Sequence, residues 1–490
     1  MATHHGLKNF VGLHALCSPG VSRSDRFGRM LPHLPALYTD PLSLAAIGDK
    51  NGPLKSTGAA SKTTSVAVGQ IFFGQFIDHD ITLDLTSSFA RLDGAEETTN
   101  FRTPSLDLDC IFGDGPDGSP YLYWHGQTGV QNAYNGAKML TGADQAGATA
   151  EMQQDLARSS HHRAIIGDPR NDENRIISQL QLAMIRFCNK VAEHLHSTRG
   201  LVNGALHAET RRVVTWHYQW TVVNDFLKSI VGKPMVENIL GRGRKIYRPE
   251  TGPFGPEFGA SAFIPVEFSV AAYRFGHSMI PQSIQIQSGK PALDVFGPKL
   301  GFGFTQLKDL DAVVEWAQVL DLSNPTVDRA DRLDAKLAKD LLDLPFVAPG
   351  DVKSLATRNL LRGQAFRLPS GEKIAQACER PQAEIDTVTA RAAALAAGAT
   401  PPADLSAGTP LWLYLLIEAG EIGRETSAGV FEKGEGLGPV GGRIVAETLI
   451  GLMELDPSAY LGSNRSWSPA TAADKLGPSG LFSLLDILTF

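Results

Sequence analysis

Hydrophobic residues along much of the chain recur at intervals of three and four, which is the spacing of a helix that buries one face. In the segment VGQIFFGQFIDHD they fall at Val68, Ile71, Phe72 and Phe76. The segment NDENRIISQLQLAMIRFCNKVAEHLH keeps the same spacing from residue 176 to residue 195. These patterns predict two helices, each with an apolar face.

Three further segments have helical patterns. Residues 210–232, TRRVVTWHYQWTVVNDFLKSIVG, are nearly all apolar and predict a buried helix. Residues 269–280, SVAAYRFGHSMI, stop at Pro281, which is a helix-ending signal. The Ala-rich segment AEIDTVTARAAALAAGATPPADL predicts an exposed helix that closes in a Gly/Pro loop. Strand-like runs are few and short, so we expect a mainly α fold with little β structure.

The beginning of the chain has a different composition from the rest. It is rich in glycine, proline and serine, as in SPGVSRSDRFGRMLPHLP. This composition predicts an extended N-terminal arm, residues 1–65, laid over a single domain that spans residues 66–490. A chain of 490 residues is long enough to bury a sizeable core.

The composition narrows the classes of function. Hydrophobic residues make up 43% and charged residues 20%, as in an ordinary globular protein, and the formal net charge of −7 argues against a nucleic-acid partner. No stretch reaches the roughly 20 consecutive apolar residues of a membrane-spanning helix. The N-terminus lacks the pattern of a classical signal peptide, so we expect a cytoplasmic protein or one exported by a leaderless route. The four cysteines have no CxxC spacing, which favours reduced thiols over a disulfide framework or a zinc site.

A charged cluster ends the first predicted helix, in GQFIDHDIT at residues 74–82. Residues three and four apart share a helix face, so Gln75, Asp78 and His79 project together. Asp80 is rotated about 100° away from His79. The cluster is either the solvated end of a helix or a site with an acid–base histidine and a separate use for Asp80, and this stretch alone leaves both interpretations open.

A second polar pattern lies in FRTPSLDLDCIFG, residues 101–113. Oxygen-bearing side chains occupy every second position, so in an extended segment they point the same way. They are Thr103, Ser105, Asp107 and Asp109. Hard oxygen ligands with several carboxylates suit Ca²⁺, and Asp80 could add a fifth ligand from the helix. The alternative is an edge strand with one polar side in water.

Three further motifs follow GQFIDHD in the chain: GDPRNDEN (167–174), YRFGH (273–277) and ATRNLLRG (356–363). Together, the four motifs resemble the animal-type haem peroxidases of the peroxidase–cyclooxygenase superfamily. The resemblance runs from about residue 25 to about residue 485. It implies a mainly helical fold around a buried haem b, with little β structure.

The resemblance assigns roles on the distal side of the haem. His79 matches the distal histidine, which acts on peroxide as a base and then as an acid. Arg170 matches the distal arginine, whose permanent charge would stabilise the developing charge on the leaving oxygen. Gln75, on the same helix face as His79, would hold a water or a halide.

On the proximal side, the resemblance implies that His277 is the iron ligand. Asn359 matches the asparagine that accepts the other ring N–H of that histidine and so fixes its orientation. Arg362 matches an arginine that pairs with a haem propionate. Arg274, three residues before His277, is also expected to contact the cofactor.

Two further expectations concern the cofactors. Asp78 and Glu173 match the carboxylates that form ester bonds to haem methyl groups in this family, which implies covalent haem attachment driven by peroxide. For Glu173, the other interpretation is a first-turn acidic residue favoured by the helix dipole, and the two are compatible. TPSLDLD matches the family's calcium loop, with Asp80 as the ligand next to the distal histidine.

The function implied is that of an oxidoreductase, a haem peroxidase that reduces hydrogen peroxide and serves in the response to oxidative stress. Asn174 stands where a mammalian member has a methionine linked to a haem vinyl group. We therefore expect bromide, iodide, thiocyanate or phenolic donors rather than efficient chloride oxidation. A single domain of this type is compatible with a monomer.

Two other functions remain as alternatives. A second branch of the superfamily oxygenates fatty acids through a tyrosine three residues before the proximal histidine, and TPSLDLD resembles that branch as well. Here Arg274 holds that position and Tyr273 lies one residue earlier, which disfavours a fatty-acid dioxygenase. A haem-binding protein without turnover is disfavoured because haem retention needs neither His79 nor Arg170.

Overall fold

The computed structural model describes residues 27–58, 61–84, 98–126, 132–249 and 262–490, and these are mainly helical. The longer helices are α1 (Pro41–Gly48), α2 (Val68–Ile81), α3 (Arg175–Arg199), α4 (Asn203–Thr221), α5 (Lys233–Arg242), α6 (Leu355–Ala365), α7 (Gln382–Ala397), α8 (Leu411–Glu421) and α9 (Pro439–Leu455). Shorter helical turns cover Asp109–Phe112, Gly115–Gly118, Pro120–Leu122, Gly142–Asp144, Ala150–Gln153, Pro169–Asp172, Val222–Leu227, Lys228–Val231, Glu267–Ala271, Ala272–Phe275, Gly276–Met279, Leu310–Ala312, Trp316–Leu320, Lys339–Leu342, Gly371–Ala377, Tyr460–Ser463 and Leu484–Thr489. The expected mainly α fold is confirmed. Among these described segments, no helix is both long enough and apolar enough to cross a membrane.

The strands are short and pair two by two. The pairs are β1 (Phe27–Gly28) with β3 (Ile264–Pro265), β2 (Lys62–Ala67) with β6 (Arg329–Asp331), β4 (Ser283–Ile284) with β5 (Leu293–Asp294), and β7 (Arg424–Ser427) with β8 (Val430–Glu432). The first pair is parallel and the other three are antiparallel. These two-stranded ribbons connect loops and do not form a layer of the core.

The ends of α3 follow from its sequence. The side chain of Asn174 caps the helix by accepting from the backbone N–H of Ile177 at 2.9 Å. Gly200 ends it with φ +66°, a left-handed conformation that glycine adopts at low cost. The helices predicted from the first two patterns are both confirmed, as is the exposed Ala-rich helix α7.

Helix α2 lies in the core, and aromatic rings surround it. Phe73 and Phe76 are fully buried and meet Tyr218 edge to face, with ring centroids 6.0 and 6.2 Å apart. Phe226 packs on Phe73 in the same manner at 5.9 Å. These contacts hold α2 against the helical segment that follows α3, and so fix the position of the polar residues at its end.

The two other predicted helices change type along their length. Residues 210–232 form a continuous helical path, but Val222–Leu227 is a π-helical turn. The predicted helix at 269–280 passes from a π-helical turn (Glu267–Ala271) through a 3₁₀ turn to the α-helical turn Gly276–Met279. Such changes of type re-aim side chains within a helix. Hydrophobic spacing predicted the helical path but not the changes.

The N-terminal segment is described from residue 27 onwards. It contains the helix α1, which the arm was not expected to form, with Leu44 and Ile47 buried. The buried carboxylate of Glu267 accepts from the backbone N–H groups of Met30 and Leu31 at 3.0 and 3.3 Å. These contacts attach the segment to the helical path that leads to His277. Residues 1–26 lie outside the described ranges, and the division at residue 65 stays a prediction.

Candidate active site

His79 lies near the carboxyl-terminal end of α2 and is buried. Its Nδ1 is 2.7 Å from Oδ1 of Asn171, and Nδ2 of Asn171 donates to Oε1 of Gln181 at 2.8 Å. Nε2 of Gln181 donates in turn to the carbonyl oxygen of Cys110 at 3.1 Å. Because a carbonyl oxygen only accepts, both amides are fixed in one orientation, and Asn171 presents an acceptor to His79. The proton of the neutral ring therefore lies on Nδ1, which leaves Nε2 as the basic nitrogen.

The electrostatic surroundings keep this ring neutral. Burial, with a smaller contribution from the charge of Arg170, lowers the pKa of His79 from 6.5 to about 4. Near neutral pH the ring is therefore ready to take a proton at Nε2. A buried, neutral, oriented imidazole is the form that a general base needs.

Gln75 and Glu173 adjoin the basic nitrogen of His79. Oε1 of Glu173 lies 3.8 Å from Nε2 of His79, and Nε2 of Gln75 donates a short hydrogen bond to the same oxygen. Burial raises the pKa of Glu173 from 4.5 to about 7, against the opposing charge of Arg170. Glu173 is surrounded by protein, yet 37% of its side chain is accessible to water. The structure thus brings His79, Gln75 and Glu173 together in a site that water can reach.

Arg170 lies beside the end of α2, and its side chain hydrogen-bonds both to that end and to Asp168. Its Nη2 donates to Oδ2 of Asp168 at 2.7 Å and to the carbonyl oxygens of His79 and Thr82 at 3.0 and 2.6 Å. Its Nε donates to Oδ1 of Asp168 at 3.1 Å. Within the part of the chain that the structure describes, Nη1 has no hydrogen bond. The guanidinium is therefore held beside His79 with one nitrogen still available.

A second cluster lies on the other side of the end of α2. The carboxylate oxygens of Asp80, Asp107 and Asp109 lie within 4.8 Å of one another. Oδ1 of Asp80 is buried without a hydrogen-bond partner, and Oδ2 accepts from the N–H of Leu108 at 3.3 Å. Burial, and then the charges of Asp107 and Asp109, raise the pKa of Asp80 well above its usual value. Three carboxylates around an unsatisfied buried oxygen can serve as ligands for a hard cation.

The loop that carries two of these aspartates is bent, so the expected extended segment is wrong. Leu108 has φ +57°, and Asp109 begins the helical turn Asp109–Phe112. Oδ1 of Asp107 accepts from the backbone N–H of Asp109 at 3.2 Å. This hydrogen bond closes a turn, which an extended strand does not contain. The two carboxylates reach Asp80 through this turn and not through alternation along a strand.

Thr103 and Ser105, the other two expected ligands, behave differently. Oγ1 of Thr103 donates to Oδ2 of Asp107 at 3.2 Å, so Thr103 lies at the cluster. The hydroxyl of Ser105 donates to Oδ2 of Asp456 at 2.7 Å and is directed at that residue instead.

His277 lies in the α-helical turn Gly276–Met279 and contacts α6. Nδ2 of Asn359 is 2.9 Å from Nδ1 of His277, while Oδ1 of Asn359 accepts from Nη1 of Arg274 at 3.3 Å. The amide nitrogen faces the ring, which is opposite to the orientation expected for an acceptor. Burial, and then the charge of Arg274, lower the pKa of His277 from 6.5 to about 3. In the described part of the molecule, Nε2 of His277 has no hydrogen-bond partner.

Arg362 and Asp78 complete the set of predicted residues. Arg362 donates to Oδ2 of Asp84 at 2.5 Å, just beyond the end of α2. This ion pair joins the helix that carries Asn359 to the helix that carries His79. Oδ1 of Asp78 accepts from the hydroxyl of Thr82 at 2.9 Å.

The segment before His277 packs directly on α2. A methyl group at Gly276 would lie 3.3 Å from Cγ2 of Ile71, and one at Gly74 would lie 3.8 Å from the hydroxyl of Tyr273. Tyr273 itself stacks on Phe268 with ring centroids 4.5 Å apart. The two predicted halves of the site, on α2 and before His277, are therefore neighbours in the fold.

Sequence reasoning did not identify four residues that position the site. Asn171 and Gln181 orient His79, and Asp168 holds Arg170. Arg102 donates from Nε to Asp168 at 3.0 Å and from Nη1 to Asp109 at 3.1 Å. It therefore links the loop that carries Arg170 to the carboxylate cluster. Asp168 and Asn171 lie on either side of Arg170 in GDPRNDEN, so this motif could have identified them as residues of the site. Gln181 lies outside the quoted motifs, and Arg102 directly precedes TPSLDLD without sharing its pattern of oxygen ligands.

The sequence matches a known protein family and one curated protein. The family model for animal haem peroxidases matches residues 84–388. It therefore includes the carboxylate loop, GDPRNDEN, RFGH and Asn359, but begins after His79. A segment of 129 residues is 30% identical to the chorion peroxidase of Drosophila melanogaster, covering 26% of this chain. The chain thus spans only 16% of the length of that relative.

Solved structures share the fold at low sequence identity. Peroxidase A from Dictyostelium discoideum has a TM-score of 0.58 and 14% identity, over 94% of this chain and 96% of that one. The fatty acid alpha-dioxygenase of Oryza sativa has a TM-score of 0.57 and 13% identity, over 89% and 76% of the two chains. The corresponding enzyme of Arabidopsis thaliana has a TM-score of 0.56 and 16% identity, over 90% and 73%. At these identities the likeness shows a common fold and no particular substrate.

Proposed function

The chain belongs to the animal haem peroxidase family, and from this premise we propose that it reduces hydrogen peroxide with His79 as the acid–base group. The oxidising equivalents pass to small donors: bromide, iodide, thiocyanate or phenols. The observation that carries the proposal is the hydrogen-bond chain through Asn171 and Gln181, which leaves Nε2 of a neutral His79 as the basic atom.

His79 performs both proton transfers that heterolytic cleavage of peroxide requires. Nε2 takes the proton from the near oxygen and then delivers it to the far oxygen, which leaves as water. The pKa of about 4 keeps Nε2 free of protons at neutral pH, so the first transfer can occur. Once protonated, the ring is a strong acid, which favours the second transfer.

The neighbours of His79 stabilise these steps. Arg170 places its charge beside the ring, with Nη1 available to the leaving oxygen. Gln75 holds Glu173 through a short hydrogen bond and keeps the second N–H of its amide available for a water or a halide. Since the pKa of Glu173 is about 7, the free carboxyl is only about half ionised at neutral pH, which reduces its repulsion of an anionic donor.

The residues around His277 fit a haem group. Nε2 of His277 is not engaged by any described residue and is available for an iron ion. Asn359 adjoins Nδ1, and with Nε2 bound to iron the N–H of Nδ1 needs an acceptor, so the amide of Asn359 would turn its oxygen to the ring. Arg362 and Arg274 would hold the propionates. When bound, the haem would supply an iron centre that takes two oxidising equivalents from peroxide and passes them on to the donor.

We also propose that Asp78 and Glu173 form ester bonds to haem methyl groups. In each ester, a carboxyl oxygen would replace one hydrogen of a methyl group, so that the carboxyl O–H and the methyl C–H would give up two protons and two electrons. One peroxide would take these up and leave as two molecules of water. The support is the position of both carboxyls at the active-site end of α2 and its neighbouring loop, together with the water-accessible surface of Glu173.

A calcium site is proposed at Asp80, Asp107 and Asp109, with Thr103 beside them; Ser105 lies in the same loop, but its hydroxyl is bound to Asp456. The support is the buried oxygen of Asp80 that has no partner, since a buried carboxylate of this kind costs free energy unless a cation satisfies it. Because Asp80 follows His79 directly, an ion here would stiffen the helix end that carries the base.

The choice of donors depends on the rest of the site. Asn174 donates to Oε1 of Gln75 at 3.4 Å and caps α3, so this position forms no sulfur link to the haem. Without that link we expect activity with bromide, iodide, thiocyanate and phenols, and little with chloride. The alternative, a fatty-acid dioxygenase, draws support from the shared fold but meets Arg274 where the radical-bearing tyrosine would stand.

A donor panel with purified, haem-loaded protein tests the proposal. Peroxide consumption is followed with bromide, iodide, thiocyanate, chloride and guaiacol, and oxygen uptake is followed with linoleate. We expect peroxide-dependent turnover with bromide, iodide or thiocyanate, or with guaiacol. We expect no oxygen uptake with linoleate. Rapid uptake with linoleate and no peroxide turnover would contradict the peroxidase assignment and favour the dioxygenase.

A further inference from the structure

A charged cleft of about 180 Å³ lies apart from the distal site, between α7, α8 and the loop after β6. Its apolar lining includes Ala335, which is half-buried, while Leu416 and Ile417 of α8 are fully buried beneath it. One wall is fixed by backbone hydrogen bonds, from the N–H of Gly434 to the carbonyl of Ala419 at 2.8 Å and from the N–H of Leu333 to the carbonyl of Gly434 at 2.9 Å. The shape is therefore built into the fold.

Four cationic and two acidic side chains line the cleft, although the whole chain carries a net charge of −7. The cationic residues are Arg332, Lys336, Arg391 and Lys433. The acidic residues are Asp334 and Glu421. The local charge is thus opposite to that of the molecule.

Few carboxylates neutralise these cations. Arg391 and Lys433 share one, since Nε of Arg391 is 3.3 Å from Oε1 of Glu421 and Nζ of Lys433 is 3.8 Å from Oε2. Lys336 donates to the carbonyl oxygen of Pro53 at 2.6 Å, and its charge acts on Asp334, which it shares with Arg332. The cleft therefore keeps an excess of positive charge at its rim.

Arg332 is held with a polar atom unsatisfied. Its Nε is buried without a hydrogen-bond partner, and its Nη1 donates to the carbonyl of Lys433 at 3.3 Å. Among the described residues it has an ion pair with Glu435, 3.9 Å from Nη2, and its charge also acts on Asp334. Glu435 already accepts from the backbone N–H groups of Thr64 and Ser65. The Nε atom is out of reach of the cleft, but 40% of the side chain is exposed, so the Nη atoms can donate to an added anion.

We propose that this cleft binds a small organic anion, a carboxylate with an apolar body about the size of one ring. The carboxylate would lie among Arg332, Arg391 and Lys433, and the body would rest on Ala335 and on the alkyl stems of these cations. An inorganic anion would use the charges but not this apolar lining, so the two features together point to an organic carboxylate.

The cleft adjoins the proximal side of the haem site. The hydroxyl of Ser278, the residue after His277, donates to the carbonyl oxygens of Asp334 and Lys336 at 2.6 and 3.0 Å. These two residues line the cleft. The proposed ligand would therefore lie one hydrogen-bonded segment away from the proximal histidine.

Calorimetric titration of the haem-loaded protein tests the site, with benzoate, its neutral analogue benzamide and inorganic phosphate as probes. We expect saturable benzoate binding. Benzamide and phosphate should bind with affinities at least about tenfold lower than that of benzoate. The double variant Arg391→Gln/Lys433→Gln should weaken benzoate binding by about tenfold, whereas Glu421→Gln should strengthen it, because it removes the competing carboxylate.

The control is Lys233→Gln, an exposed lysine that is also paired with a carboxylate, Glu237, at 3.6 Å, but lies on α5 outside the cleft. Benzoate affinity should be unchanged in this variant. The proposal is overturned if benzoate fails to saturate, if benzamide or phosphate binds as tightly, or if the double variant binds as the wild type does. All these outcomes are independent of peroxide turnover, so they separate this site from the proposed enzymatic function.

Discussion

Replacing Asn171 by aspartate tests the hydrogen-bond chain that orients His79. A carboxylate would then face Nδ1 at the present 2.7 Å and would favour the protonated ring. With the two charges centred about 4 Å apart and an effective dielectric constant near 20, the attraction is about 4 kcal/mol, or about three pKa units. Burying the new carboxylate offsets part of this gain, so we expect the pKa of His79 to rise by about two units from its value of about 4.

The assay is the pH dependence of the second-order rate constant for the reaction with peroxide, measured by stopped-flow absorbance of the haem. In the wild type the rate should fall below a pH of about 4, where Nε2 becomes protonated, and in Asn171→Asp the fall should begin near pH 6. Asn174→Asp is the matched control, because it adds the same charge three residues later but contacts Gln75 instead of the His79 ring. The reasoning is refuted if the acid limb of Asn171→Asp does not move, or moves no further than that of the control.

Three other predictions address the cofactors. Asp80→Asn should remove bound calcium, measured by elemental analysis, and broaden the haem spectrum; well-folded wild type without calcium would refute the site. After treatment with peroxide, mass spectrometry should find haem attached to peptides that contain Asp78 and Glu173, whereas complete release of intact haem would contradict the esters. Asn359→Asp should lower the iron reduction potential, because a carboxylate pulls more strongly than an amide on the Nδ1 proton of His277; an unchanged potential in spectroelectrochemistry would argue against this contact.

The longer helices could be predicted from the sequence because their cues are local. Apolar spacing identified α2 and α3, and a proline marked the end of the helical path that carries His277. The change from π to 3₁₀ to α geometry within that path had no such cue. It depends on packing against α2, where Gly276 lies close to Ile71, and on the buried Glu267 that binds the N-terminal segment.

The candidate site was predictable only where a short motif carries the chemistry. Such motifs named His79, Arg170, His277 and Asn359 in the sequence. Their partners are distant in sequence: Gln181 reaches Asn171 from within α3, and Arg102 joins two loops that only tertiary folding brings together.

Loop geometry limited the prediction of the carboxylate cluster. Alternation of polar residues suggested a strand, but the left-handed Leu108 produces a bend instead. The bend still brings Asp107 and Asp109 to Asp80, while the hydroxyl of Ser105 turns to Asp456. A sequence pattern can thus name the right residues with the wrong local structure.

The most direct test of the central claim is the rate at which His79→Ala reacts with peroxide. The variant is loaded with haem, its content is verified by absorbance, and the second-order rate constant is compared with those of the wild type and of His161→Ala, an exposed histidine outside the site. If His79 is the acid–base group, its loss should slow the reaction by about 10²- to 10⁴-fold, and the control should react as the wild type does. An unchanged rate in a haem-loaded His79→Ala protein would contradict the assignment.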